Sequence, residues 1–168
     1  MRLTAQEEYG LRCLLQIARE PGGFLTIPEI SAREGLSTPY VAKLMRILRE
    51  AELVESIRGQ KGGFRLALRP DQISLGRVLR VLDGQLYTKD FCKRYTGNEV
   101  SCAHDSDCSV RTLWSVLDRA VQGVLIRMTL KHLLVDEREM DSWARNRSES
   151  AAVAGESPEL LPSEPGAH

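Results

Sequence analysis

Three of the four cysteines lie close together, as Cys92-x9-Cys102-x5-Cys108, and Cys13 stands alone. Soft thiolates on one flexible segment are the ligand type of iron–sulfur clusters. An odd group of this kind argues against a disulfide framework and toward metal or redox chemistry. The first reading is therefore an iron–sulfur cluster, 2Fe–2S or 4Fe–4S. Zinc is the competing metal, but it favours four closed ligands, frequently in Cys-x2-Cys pairs, and such pairs are missing. A thiol–disulfide switch without metal, or a small redox carrier, would use the same thiols. Cys13 sits among Leu11, Leu14 and Leu15, where a small buried thiol is expected. Catalysis finds little support. The chain holds only His104, His132 and His168, and no Ser/His/Asp or Cys/His arrangement is evident. Gly59–Gly63 joins two expected strands, so it is no phosphate-cradling loop.

A second constellation is polar and basic. Ser37, Thr38, Tyr40 and Lys43 open a helix expected near residues 37–51. Hydroxyls and an ammonium on a helix's first turn can meet phosphates or base edges, and the free amides there add an anion site. Arg46 and Arg49 follow along the same helix and suit the DNA backbone. Arg58 and Lys61 lie on a Gly-rich connection that could clamp phosphate or enter a minor groove. Tyr40 is equally a residue that packs between helices, and Arg33 an ordinary surface cation.

The elements that must position these residues are legible. Thr4 with Glu7, and Thr26 with Glu29, are capping boxes at two helix starts. Leu11, Leu14, Leu15 and Ala18 recur at helical spacing behind the first, and Pro21-Gly22-Gly23 ends it. The second helix is short and stops at Gly35. Ser37 caps a third, whose apolar side is Val41, Leu44, Met45 and Leu48. Two helices joined by Gly-Leu-Ser make a helix-turn-helix. The alternating runs 53–58 and 64–68 flank Gly59–Gly63 and predict a β-hairpin wing. Ser74 caps a fourth helix with Leu75, Val78, Leu79 and Leu82 inward, ending at Asp83-Gly84. Residues 85–108 show no apolar period. From Ser109 a long amphipathic helix reaches about Met128, carrying Leu113, Leu117, Val121, Val124 and Leu125, with a shorter turn in 129–135. The stretch 145–168 is rich in Ser, Glu, Pro and Ala and reads as a disordered tail.

The expected fold is mainly α with a small β-hairpin. A winged helix-turn-helix domain (1–84) is followed by a cysteine-bearing loop (85–108) and a dimerisation helix region (109–135). Composition agrees, with 42% apolar and 5% aromatic residues. The 23 basic and 23 acidic residues cancel, yet Arg33, Lys43, Arg46, Arg49, Arg58, Lys61, Arg65 and Arg69 crowd the helix-turn-helix and wing. A local basic face on a neutral chain suits nucleic acid. No run is apolar enough for a membrane span and no secretory signal opens the chain, so the protein is read as cytoplasmic.

The opening Met1-Arg2-Leu3-Thr4, the helix start Leu36-Ser37-Thr38-Pro39-Tyr40 and the wing Arg58-Gly59-Gln60-Lys61-Gly62-Gly63-Phe64 resemble the Rrf-two (Rrf2) superfamily of bacterial winged-helix regulators. With the downstream cysteines, the likeness is to its iron–sulfur branch of IscR-like and NsrR-like proteins, over about residues 1–135. The resemblance implies a homodimeric regulator, repressor before activator, binding a double-stranded DNA operator under control of a cluster that senses redox state, nitric oxide or iron. It implies a long helix that crosses its partner, and DNA contacts at Ser37, Tyr40, Lys43 and Arg58. An acidic residue that tunes site preference in the cluster-assembly regulators is replaced here by Ala42. The second cysteine gap matches the family and the first is longer. Where those regulators place a histidine ligand this chain has Arg111. In the nitric-oxide branch a first-helix carboxylate of the other subunit completes the site, and Glu8 stands there. His104 is the second choice for a fourth ligand, with Asp105 and Asp107 also near.

Overall fold

A computed structural model of the protein describes residues 4–59, 62–82, 92–94, 96, 101–102, 104 and 107–153. The chain divides into two units, Met1–Leu134 and Val135–His168. The first unit opens with α1 (Ala5–Arg19), α2 (Ile27–Glu34) and α3 (Thr38–Glu50). A two-stranded antiparallel sheet follows, β1 (Val54–Ile57) and β2 (Gly63–Leu66), in register Val54↔Leu66 to Ile57↔Gly63. Then come α4 (Leu75–Val81), a 3-10 turn (Cys92–Arg94), α5 (Ser109–Leu125) and a second 3-10 turn (Leu130–Leu133).

Both expected capping boxes form. Thr4 accepts from the Glu7 amide at 3.2 Å while Glu7 accepts from the Thr4 amide at 2.6 Å. At α2 the amide of Thr26 donates to Glu29 at 2.8 Å, and that bond, with the hydroxyl beside it, holds the Glu29 carboxyl below its ordinary range. Gly35 ends α2 at φ 66°, ψ 30°, the left-handed conformation that turns the chain into α3 at little steric cost.

Val41, Leu44, Met45 and Leu48 of α3 are fully buried. Each such side chain contributes roughly 1.5–3 kcal/mol on leaving water, so α3 is fixed by its inner face and free to present its outer one. The buried stripe of α1 is rotated from the expected one. Gly10, Cys13, Leu14 and Ile17 are inside, while Leu11, Leu15 and Ala18 are half-buried at its edge. The reason is tertiary: α1 packs against α2, α3, α4 and β2, so its inner face is set by several neighbours. Along α4 and its C-cap, Leu75, Val78 and Leu82 are buried and Leu79 only half-buried.

The wing root is closely stitched. Leu25 and Phe64 exchange backbone hydrogen bonds at 3.0 and 2.8 Å, and a Cβ on Gly63 would lie 2.6 Å from the Leu25 carbonyl oxygen. The long helix ends at Leu125, short of Met128, because Met128–Leu130 leaves the helix to pair with α4's start. In the second unit α6 spans Glu137–Val153, with Asp136 accepting from the Glu139 amide at 2.9 Å. This helix runs into the stretch read as a disordered tail from Arg145. Its Ala, Arg and Glu residues are good helix formers.

Candidate nucleic-acid interface and cysteine segment

The first turn of α3 is exposed at Ser37, Thr38 and Pro39. Ser37 occupies the N-cap position, but its side chain makes no cap hydrogen bond, unlike Thr4, Thr26 and Ser74. Pro39 carries no N–H and the Tyr40 amide donates to the Ser37 carbonyl at 3.0 Å, so among the described residues the Ser37 hydroxyl and the Thr38 amide are left for an external acceptor or anion. Lys43, Arg46 and Arg49 are exposed farther along, and Arg58 is exposed where β1 ends. Lys61 lies outside the described residues.

Charge pairing sorts the basic surface. Arg33 pairs with Glu20 at 2.6 Å, Arg65 with Glu55 across the wing at 2.5 Å, and Arg69 with Asp71. Arg46 meets Glu50 only loosely, at 3.9 Å, with both side chains well exposed. Among the described residues Lys43, Arg49 and Arg58 have no acidic partner. These three cations lie on α3 and at the wing, the elements a helix-turn-helix turns toward DNA.

Tyr40 is half-buried, edge-on to Tyr9 of α1, with ring centroids 6.1 Å apart and planes at 86°. Arg12 stacks over Tyr9 at 5.4 Å and binds Glu34 of α2 at 2.5 Å, and Gln16 reaches the other Glu34 oxygen at 2.6 Å. An edge-to-face pair contributes about 0.5–1.5 kcal/mol beyond its area, so the Tyr40 ring braces α3 on α1. Arg77 of α4 donates to the Ala51 carbonyl at 2.6 Å, satisfying the far end of α3. The sequence offered Tyr40 as a residue that packs between helices, but neither its partner Tyr9 nor the Arg77 bond to Ala51 was legible, since each joins residues remote along the chain.

Cys13 is fully buried, as expected, and burial, with Glu34 nearby, pushes its thiol up to about 12. Cys92, Cys102 and Cys108 are free thiols, each half-buried. Cys92 lies in the 3-10 turn, and Cys108 is the N-cap of α5, its sulfur accepting from the Arg111 amide at 3.4 Å. Glu8 and His104 are exposed. Among the described residues no group of three or more His, Cys, Asp or Glu side chains is gathered. Three free, accessible thiols fit an iron–sulfur cluster by donor chemistry, although the described part of the structure does not assemble them with Glu8 or His104.

The sequence matches the Rrf2 family, described as iron-dependent transcriptional regulators, over residues 3–136. The chain belongs to this family. It is 33% identical to the HTH-type transcriptional regulator IscR of Aliivibrio salmonicida over 156 residues, 92% of this chain and 90% of the relative. The structure of CymR, the global cysteine regulator of B. subtilis, superposes with a TM-score of 0.63 at 31% identity, covering 81% of this chain and 99% of CymR. T. potens IscR superposes with a TM-score of 0.59 at 27% identity, covering 94% and 93%. The chain is a winged-helix, DNA-binding transcription regulator and not an enzyme. Among the described residues no helix is long and apolar enough to cross a membrane.

Proposed function

We propose that the protein binds operator DNA as a homodimer, with α3 in the major groove and the wing on the flanking backbone. The reading rests chiefly on the exposed start of α3, where the N-cap hydroxyl makes no cap hydrogen bond, with Lys43 exposed farther along the helix and Arg58 exposed at the wing. Ser37 and Thr38 contact phosphate, Lys43 a phosphate or guanine edge, and Arg46, Arg58 and Lys61 the backbone. Tyr40 offers its hydroxyl while its ring holds the helix.

Dimerisation is supported by α5, whose apolar residues are on the outside. Val110, Leu113, Leu117 and Val124 are 57, 52, 42 and 48% exposed, while the polar Arg111, Ser115, Asp118 and Gln122 are half-buried. An apolar stripe this extensive on a helix turned away from its own chain calls for a second copy.

The finer proposal is that Cys92, Cys102 and Cys108 hold an iron–sulfur cluster, with Glu8 of the other subunit as fourth ligand or His104 as the substitute. Support comes from the donor set, from the family's iron dependence and from the likeness to IscR. A bound cluster supplies an electron-accepting centre that also reacts with small ligands. This chain's thiols would orient it, and Cys108 would tie its occupancy to the N-terminus of α5. The likeness to a cysteine regulator favours a second reading, a cluster-free thiol switch on the same fold.

Lys43→Ala and Arg58→Ala test the DNA face. Each is expected to weaken binding to a duplex enriched by the wild-type protein about 5- to 20-fold and to lower the salt slope by about 1, with unchanged melting temperature. Wild-type isotherms for both across a salt series refute the assignment.

A further inference from the structure

Beyond Leu125 the chain returns to the winged domain through a short strap, Met128–Leu130. The Leu75 amide donates to the Met128 carbonyl at 2.9 Å and the Leu130 amide to the Ile73 carbonyl at 2.8 Å, an antiparallel bridge of Ser74 with Thr129. Leu130 is fully buried, Met128 is 7% exposed, and the Lys131 amide donates to the Pro70 carbonyl at 3.1 Å. The strap thus joins α5, which carries the apolar stripe, to α4 of the DNA-binding domain.

The strap also carries an unusual cap. Thr129 is extended (φ −119°, ψ 165°) and begins the 3-10 turn Leu130–Leu133. A capping box ordinarily places Glu or Gln three residues after the Thr. Here His132 has that place: the Thr129 amide donates to its Nδ1 at 3.0 Å, and the Thr129 hydroxyl lies 2.9 Å from the same nitrogen. Since an amide can only donate, Nδ1 must accept, so the ring is the neutral tautomer with its proton on Nε2. From α1, Arg19 donates to the Leu133 carbonyl at 3.2 Å and closes the turn from the other side.

We infer that His132 is a positioning residue: by accepting the Thr129 amide it pins the Met128–Leu130 strap on α4 and sets the angle between the winged domain and α5. The inference rests on the dimeric DNA-binding reading. Recognition helices must meet successive major grooves about 34 Å apart, so an angle fixed at this joint becomes a preferred half-site spacing.

The test compares His132→Leu, which keeps bulk and removes the acceptor, with His132→Gln, which restores the ordinary capping partner. His132→Ala serves should the Leu variant not fold. The probes are duplexes enriched from a random pool by the wild-type protein, then shortened or lengthened at the centre by one or two base pairs. Amide exchange at Leu75 and Leu130 is read by NMR on the full-length dimer. His132→Leu is expected to speed both exchanges about 5-fold, the size of one lost cap, and to flatten the dependence of affinity on spacing. His132→Gln should restore both. Wild-type exchange and spacing in the Leu or Ala variant overturn the inference. So does an equal loss of affinity at every spacing, the mark of a merely structural residue, or a folded Gln variant that fails to rescue. A wild-type protein that enriches no duplex refutes the dimeric DNA-binding reading instead, and the exchange rates then decide the pin alone.

Discussion

Replacing Leu113 and Leu117 together by Glu should convert the protein to a folded monomer. These residues are one helical turn apart on α5, and 52% and 42% of each remain exposed within the chain. Full burial of a leucine contributes roughly 1.5–3 kcal/mol, so the half still exposed contributes about 1 kcal/mol at an interface. A two-fold axis counts each position twice, giving about 2 kcal/mol per position and about 4 kcal/mol for the pair. That corresponds to roughly a thousandfold in the dimer dissociation constant. Four carboxylates crowded at a two-fold contact add repulsion and desolvation. The cost to the isolated chain is small, because both sites already face water and like charges four apart on a helix cost only about 0.2–0.5 kcal/mol. Sedimentation equilibrium reports the mass, and circular dichroism with thermal melting reports whether the fold survives. A soluble, folded double variant that stays dimeric at micromolar concentration refutes the assignment of this face.

The thiols should separate by role: Ala at Cys92, Cys102 or Cys108 abolishes iron and sulfide in anaerobically purified protein, and Ala at Cys13 leaves them unchanged. Wild-type iron in the Cys102 or Cys108 variant ends the cluster proposal. With a thiol pKa near 12, Cys13 should also stay unalkylated at pH 8 in the metal-free native protein while the other thiols react, as peptide mass mapping would record. Gly63→Ala forces a Cβ to within 2.6 Å of the Leu25 carbonyl oxygen and should cost about 1–3 kcal/mol, read as a lowered melting temperature; an unchanged midpoint would show that the wing root yields freely.

Much of the protein is written locally. Thr4–Glu7 and Thr26–Glu29 encode their helix starts because a cap involves residues only three apart, and Gly35 encodes the turn because its φ is positive. The inner face of α3 follows from period, since Val41, Leu44, Met45 and Leu48 recur at helical spacing and are the residues buried. The same local grammar marked the wing, the amphipathic α5 and the short turn after it. What the sequence could not determine is whatever depends on elements meeting from afar. The rotation of α1's buried face, the Tyr9–Tyr40 brace and the Arg77 bond to Ala51 have no periodic signature. Nor could the sequence say which cations are neutralised: Arg33 and Arg65 look like Lys43 and Arg58 in a charge count, and only folding brings Glu20 and Glu55 to them. His132 shows the division at its clearest. Its spacing from Thr129 is local, but that this cap pins α5 to α4 follows only from the strap lying against Ile73–Leu75, because contacts between distant segments arise from the packing of the whole chain.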